Sequence, residues 1–202
     1  MSSTLRMVLV AVCGISLLTA AVTWLFSATE AEPVPSVVQP TVLFVVMDTV
    51  RADHTSLCGY DRPTTPTLEA LRADGASVSC GGVAPGSWTI PSVASFFTGM
   101  QVPEHGVHFA LGSDETVRGM HLSPLSDRHQ TLAEAMVSRG YQAIGVSGNP
   151  VLTEQSGLTR GFGAWERPEV FGELYGADLV DAVRRGLDQA QDDRPLFLFV
   201  DI

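Results

Sequence analysis

Beyond position 40 the chain alternates short unbroken apolar runs with segments whose apolar residues recur at helical spacing. Val42 to Met47 (VLFVVM) is a continuous β-branched and aromatic run, which predicts a central parallel strand covered on both faces. Thr65-Pro66 marks a helix start, with Thr65 as N-cap and Pro66 at the first helical position; Leu68 and Leu71 share a face until Gly75 ends it. Trp88-Thr89-Ile90-Pro91-Ser92 leads into an apolar stretch closed by Gly99, which predicts a short buried helix with Thr89 at its N-terminus. A further helix is expected from Thr131 to Arg139, stopped by Gly140, and an amphipathic one from Ala177 to Ala190. Ala143 to Val146 and Leu196 to Val200 (LFLFV) read as two more buried strands. Alternating strands and helices predict an α/β domain: a mainly parallel sheet flanked by helices, with right-handed crossovers and ligands gathered at the carboxyl ends of the strands.

The first forty residues follow another pattern. Met7 to Phe26 contains no charged residue, and about 20 apolar residues, each rising roughly 1.5 Å along a helix, cross a hydrocarbon core of ~30 Å. Arg6 precedes this segment and Glu30 and Glu32 follow it, so the positive-inside bias leaves residues 1–6 in the cytoplasm and sends the remainder outward. Residues 7–26 are therefore expected to be a signal anchor or a signal peptide, with a small-residue cleavage site available at Thr29-Glu30-Ala31. The proline-bearing stretch at 27–40 reads as a linker, and the folded part runs over 41–202.

Composition narrows the class without giving an activity. With 45% hydrophobic and 17% charged residues the chain is not disordered, and a net charge of −10 argues against a nucleic-acid partner. It does not exclude an anionic substrate, because a metal ion reverses the sign inside one pocket. Cys58 and Cys80 are the two cysteines of the exported part; an oxidising compartment would allow them to pair, and the sequence leaves that open. No Cys-x-x-Cys spacing or Cys-His cluster supports a zinc site through sulfur.

Asp48 directly follows the first strand, so its carboxylate is expected at the edge of the sheet where α/β proteins build sites, as an oxygen ligand for a hard divalent cation. Its surroundings carry more. VLFVVMDTVRADHTSLCGYDRPTTPTLEALRADG is followed by WTIPSVASFFTGMQVPEHGV, then by Thr131-Leu132-Ala133-Glu134, Arg139-Gly140-Tyr141 and Arg194-Pro195-Leu196-Phe197-Leu198-Phe199-Val200. In order and spacing this series resembles the N-terminal domain of the sulfatase family, within the alkaline phosphatase superfamily, over essentially everything after the linker.

The resemblance implies a nucleophile at Thr89, since matching Pro91 to the proline of the family's Cys/Ser-x-Pro-x-Arg pattern places Thr89 at the nucleophile and Val93 at the arginine. Threonine cannot become formylglycine, but phospho-transferring relatives such as phosphoethanolamine transferases use it. A hydroxyl at a helix N-terminus beside a divalent cation has a lowered pKa and free backbone N–H groups nearby for an oxyanion. Asn149 and Val151 stand where typical sulfatases carry a lysine and a histidine; Asn149 either donates to a substrate oxygen or stabilises a turn before Pro150. Thr49 replaces the second of two adjacent aspartates. Arg51, Asp53 and His54 are expected to satisfy loop backbone groups, and His105 to be a packed loop residue or a ligand.

The implied protein is an exported, membrane-anchored hydrolase of small sulfate or phosphate esters, or a phosphoryl transferase. Its cofactor would be a divalent metal ion (calcium, zinc or manganese) held by Asp48 and Thr89, and its domain would be periplasmic or at the cell surface. The resemblance further implies ligands from beyond Ile202. The stretch 41–202 would then be an incompletely liganded and inactive part of that site, with Leu196 to Val200 presenting an unpaired apolar edge. The alternative is a non-catalytic membrane-anchored interaction domain on the same fold.

Overall fold

The computed structural model describes residues 39–111, 120–167 and 175–202. The segment predicted at 7–26, and the linker at 27–40 apart from its last two residues, lie outside the described residues. Among the described residues no helix is long and apolar enough to cross a membrane.

Pro40–Ile202 folds as one unit. In chain order its elements are β1 (Val42–Val46), α1 (Pro66–Ala73), α2 (Thr89–Thr98), α3 (Val102–His105), β2 (His108–Leu111), β3 (Met120–Ser123), α4 (Leu132–Val137), β4 (Gln142–Ser147), β5 (Ala164–Glu166), α5 (Tyr175–Asp188) and β6 (Leu196–Asp201). Four strands form a sheet in the order β1-β6-β4-β5, parallel throughout, and β2 and β3 form a separate antiparallel pair. The parallel α/β architecture expected from the alternating pattern is present. The β2-β3 pair and the three-residue β5 had no periodic signal long enough to read.

The central strand is β6. Phe197 and Phe199 point to one face, where they meet Ile90, Val93 and Phe97 of α2 and Ala133 of α4. Leu198 and Val200 point to the other, where α5 supplies Leu179 and Ala182 against Ile144 and Val146 of β4. A strand buried on both faces has no use for alternation, which is why LFLFV reads as an unbroken apolar run. Gly186 lets α5 come this close, since a Cβ there would stand 2.9 Å from Ile144 Cγ2. On the opposite face Phe162 and Trp165 join the aromatic cluster, with Phe162 5.7 Å from Phe97 and Trp165 5.1 Å from Phe162.

Three expectations are corrected. VLFVVM does not form a central strand covered on both faces: β1 is an edge strand, and although Val42, Phe44 and Val46 pack inward, Leu43 is 60% and Val45 44% exposed. The physical reason is that α5 packs over β4 and β5, and among the described residues nothing reaches over the outward face of β1. Nor does Leu196 to Val200 lack a neighbour, because β6 pairs with β1 on one side and β4 on the other. Thr65 does not cap α1 with its side chain; its Oγ1 instead accepts from the Leu57 N–H at 3.1 Å and pairs with the Ser56 hydroxyl at 3.2 Å. The hydroxyl ties down the preceding loop, and α1 buries none of its residues.

By contrast Thr131 is a full N-cap for α4. Its hydroxyl oxygen accepts from the Glu134 N–H while the Glu134 carboxylate accepts from the Thr131 N–H, the reciprocal capping box.

Gly145 in β4 lies directly beneath Trp165, whose ring atoms occupy the place a Cβ would take. Gly145→Ala should therefore overpack the aromatic cluster and lower stability by about 1–3 kcal/mol, measured as a fall in urea midpoint at unchanged m-value. An unchanged midpoint would mean that the indole swings aside freely.

Candidate active site

Three strand ends and one helix start converge at the carboxyl edge of the sheet. Asp48 leaves β1 with its N–H donated to the Ile202 carbonyl at 2.9 Å, so the parallel ladder fixes its backbone two residues beyond the strand. Thr49 follows at φ 59°, the left-handed region. For a β-branched residue this conformation costs about 1–3 kcal/mol, and such strain concentrates at functional sites. It turns the chain sharply away immediately after the carboxylate.

Thr89 is the first residue of α2, entered from Trp88 in an extended conformation, and no side chain caps the helix. The Gly86 carbonyl accepts from the Ser92 hydroxyl at 3.0 Å, and Gly86 sits against Pro91, where a Cβ would approach its ring to 3.1 Å. That close approach holds the loop before Thr89 on the first turn. The start of α2 therefore presents its partial positive charge at Thr89.

The residues singled out in the sequence meet here. Thr89 Oγ1 donates to Asp48 Oδ2 at 2.6 Å, Asn149 Nδ2 donates to the same oxygen at 2.8 Å, and Asn149 Nδ2 lies 3.3 Å from Thr89 Oγ1. The carboxamide is not free to flip, because Asn149 Oδ1 accepts from the Val151 N–H at 3.1 Å and so leaves the NH₂ group facing Asp48 and Thr89. The turn and the donor function considered separately for Asn149 are thus two ends of one side chain. Bonds of 2.6–2.8 Å onto an ionised acceptor are of the charge-assisted kind.

A cavity of about 400 Å³ opens beside this cluster. Its wall is largely apolar, from Met47, Val50, Trp88 and Phe96, and no cationic side chain lines it among the described residues. Val93 lines this cavity as well as the hydrophobic core, and Val151 packs against that core. Arg51, Asp53 and His54 stay outside. They do not satisfy loop backbone groups as expected; exposed, they pair with one another through Arg51–Asp53 (2.7 Å) and His54–Asp53 (3.1 Å) contacts. The Arg51 guanidinium, with help from His54, holds the Asp53 carboxyl well below the usual carboxylate range.

His105 is a packed residue. Its Nδ1 accepts from the Val107 N–H at 3.0 Å, so Nε2 carries the proton and donates to Ser95 Oγ at 3.0 Å, and burial pushes its pKa down. Cys58 and Cys80 form a disulfide. No group of three or more His, Cys, Asp or Glu side chains suited to a metal occurs among the described residues.

Sequence reasoning missed Asp201 and Ser147. Both are 1% exposed and lie opposite each other at the ends of β6 and β4. Ser147 Oγ donates to Asp201 Oδ2 at 2.8 Å, while Asp201 Oδ1 is buried without a partner. Burial raises the Asp201 pKa, and the nearby Asp48 charge raises it further. A signal was present: LFLFVD ends as VLFVVMD does, in an aspartate at the close of an apolar run.

A family model described as Sulfatase matches residues 40–200. No curated protein matches the chain. Among solved structures, BT4656 in complex with its substrate D-glucosamine-2-N,6-O-disulfate is similar at 17% identity and a TM-score of 0.61, over 81% of this chain and 34% of that one. The phosphonate monoester hydrolase of Agrobacterium radiobacter is similar at 21% identity and a TM-score of 0.59, over 81% of this chain and 40% of that one. The C-terminal periplasmic domain of EcEptC from Escherichia coli, solved with zinc, is similar at 15% identity and a TM-score of 0.52, over 80% of this chain and 43% of that one. At these identities the likeness is one of fold, and the chain spans less than half the length of each.

The raised pKa of Asp201 makes stability depend on pH in a definite direction. The folded state holds this proton more tightly than the unfolded chain, whose aspartates titrate near about 3.9. The contribution is therefore complete below that value and is lost as pH rises through the folded pKa. Asp201→Asn should abolish this loss, so that urea midpoints of variant and parent diverge in the variant's favour from about pH 4 upward. A parent that gains on the variant with rising pH would contradict the assignment.

Proposed function

Because the chain belongs to the sulfatase family, we propose that it forms the nucleophile-bearing part of a metal-dependent enzyme that cleaves or transfers sulfate or phosphate esters outside the cytoplasm. The observation that carries this reading is the hydrogen bond from Thr89 Oγ1 to Asp48 Oδ2, 2.6 Å long, at the start of an uncapped buried helix. A threonine hydrogen-bonded to a carboxylate has an acceptor in place for its proton, and the two groups come from segments 41 residues apart. The disulfide between Cys58 and Cys80 supports an extracytoplasmic setting, since such bonds persist in oxidising compartments. Anchoring of the domain to the membrane rests on the apolar run at 7–26.

Asp48 and Thr89 present two hard oxygen donors to one point, a donor set that suits part of a site for a divalent cation such as calcium, zinc or manganese. When bound, such an ion would lower the pKa of the hydroxyl and offset the negative charge of the ester. The chain's own residues do the rest. Asp48 Oδ2 accepts the Thr89 proton as Thr89 Oγ bonds to phosphorus or sulfur; the bond to the ester oxygen breaks, and that oxygen departs with its electron pair and is protonated from water. The Asn149 NH₂ group and the backbone amides opening α2 are placed to donate to the oxygens that gain charge.

Between the two ester classes, phosphate is favoured. Thr89 cannot mature to the formylglycine that sulfate cleavage in this family uses, and Asn149 and Val151 stand in place of the lysine and histidine that would contact a departing sulfate.

Arylsulfate, phosphomonoester and phosphodiester substrates should be assayed with the native gene product, with and without chelator. Thr89→Ala should reduce turnover by at least ~10³-fold and Thr89→Ser should retain part of it, on the scale at which loss of a nucleophile acts. Mass spectrometry of the stalled enzyme should find the transferred group on the peptide bearing Thr89. Full turnover by Thr89→Ala would sink the nucleophile assignment.

A further inference from the structure

We propose that Ser147 and Asp201 are positioning residues, a buried pair whose function is to fix the Asn149 turn so that its carboxamide meets Asp48 and Thr89. The proposal rests on the reading of Asn149 as a donor at the nucleophile, and its test separates the two.

The geometry forms a directed chain. Ser147 has one hydroxyl proton and gives it to Asp201 Oδ2 at 2.8 Å. Its remaining lone pairs then accept, and the Asn149 backbone N–H donates to Ser147 Oγ at 3.0 Å. Asn149 in turn accepts from Val151 at Oδ1, which aims its NH₂ at Asp48 Oδ2. Each link fixes the sense of the next. Reversing the Ser147 hydroxyl would leave the Asn149 amide without an acceptor and release the turn.

Position explains why the pair can act as a backing. Ser147 and Asp201 are directly opposed in the β4-β6 ladder, and Gly148 N–H donates to the Asp201 carbonyl at 3.2 Å. They are therefore set by the ladder between the two central strands, and both are closed off from solvent. A packing role alone does not account for Asp201. A buried carboxyl with one oxygen lacking any partner is costly, and an apolar side chain such as leucine would fill that volume without an unpaired polar atom. Burial favours its neutral form, consistent with a group that orients neighbours instead of bearing charge.

The test reads Asn149 directly. In the full ¹⁵N-labelled chain, the Asn149 side-chain NH₂ pair should resonate away from free-asparagine values and exchange slowly with solvent. Ser147→Ala should move that pair toward free values and speed its exchange at least tenfold, while Ser147→Thr, which keeps the hydroxyl, should restore it. Asp201→Ala should reproduce the Ser147→Ala shift, and Asp201→Asn, which keeps an acceptor for Ser147, should not. The Val107 amide, held by His105, serves as the fold control and should not change.

An Asn149 pair that ignores Ser147→Ala while the Val107 amide is intact overturns the proposal, as does one that fails to recover in Ser147→Thr. Should Asp201→Ala not fold, the Ser147 pair of variants decides alone. In turnover assays Ser147→Ala should lower kcat with little change in KM, and Ser147→Ala with Asn149→Ala should be no slower than Asn149→Ala alone. If Thr89→Ala proves fully active, the proposed function fails, and the resonance experiment still reports on the positioning.

Discussion

Parallel pairing of β6 on both sides is the constraint from which the site follows. Because β1 and β4 are both locked to β6, the residues that close these strands are carried to one edge: Asp48 after β1, Ser147 and Asn149 after β4, Asp201 at the end of β6. None of the three strands is adjacent in sequence to another, and a shift in either pairing would move the Asn149 amide away from the Asp48 carboxylate. Phe197 and Phe199, both fully buried, hold the same strand against α2, which brings Thr89 to the shared point. Burial of aromatic area and the parallel ladder thus position a cluster whose own hydrogen bonds are worth only about 1–3 kcal/mol each.

The electrostatics of this edge are one-sided. Asp48 and Asp201 lie close enough for the charge of one to raise the pKa of the other. The donors available to Asp48 are neutral, a hydroxyl and a carboxamide, and no cationic side chain lines the adjoining cavity among the described residues. An anion approaching such a point gains from the helix start and loses to the carboxylate. A cation reverses that balance, and this is the physical reason a metal belongs in the proposed mechanism.

Much of the architecture was legible because parallel strands and their helices carry strong local signals. LFLFV and the Gly99 stop after α2 each correspond to a structural feature for the reason the pattern suggests. The position of VLFVVM was not legible. An apolar run reports that a strand is fit for burial on both faces, whereas coverage depends on where other helices land, and α5 landed over β4 and β5. Asp48, Thr89 and Asn149 were readable as a series of motifs, and their convergence needed only that series. Asp201 was not, since its meaning comes from a ladder partner 54 positions away and from an oxygen with nothing to bind. The local trace is confined to an aspartate closing the apolar run LFLFV, which shows neither the partner nor the unpaired oxygen.

The stretch from Ala52 to Ser87 has a different character from the sheet it joins. Thr55 is its one buried residue, and its order derives from the Cys58–Cys80 cross-link and the hydroxyl ties of Thr64 and Thr65 rather than from a core. Yet Ala84, Gly86 and Ser87 at its end form part of the cavity wall. Apart from Gly86, which holds the loop before Thr89 against Pro91 and Ser92, sequence drift in this stapled arm is therefore uncoupled from the packing that aligns Thr89 with Asp48. A lineage can remodel what the pocket admits by editing the arm, while the chemistry at the sheet edge is inherited unchanged.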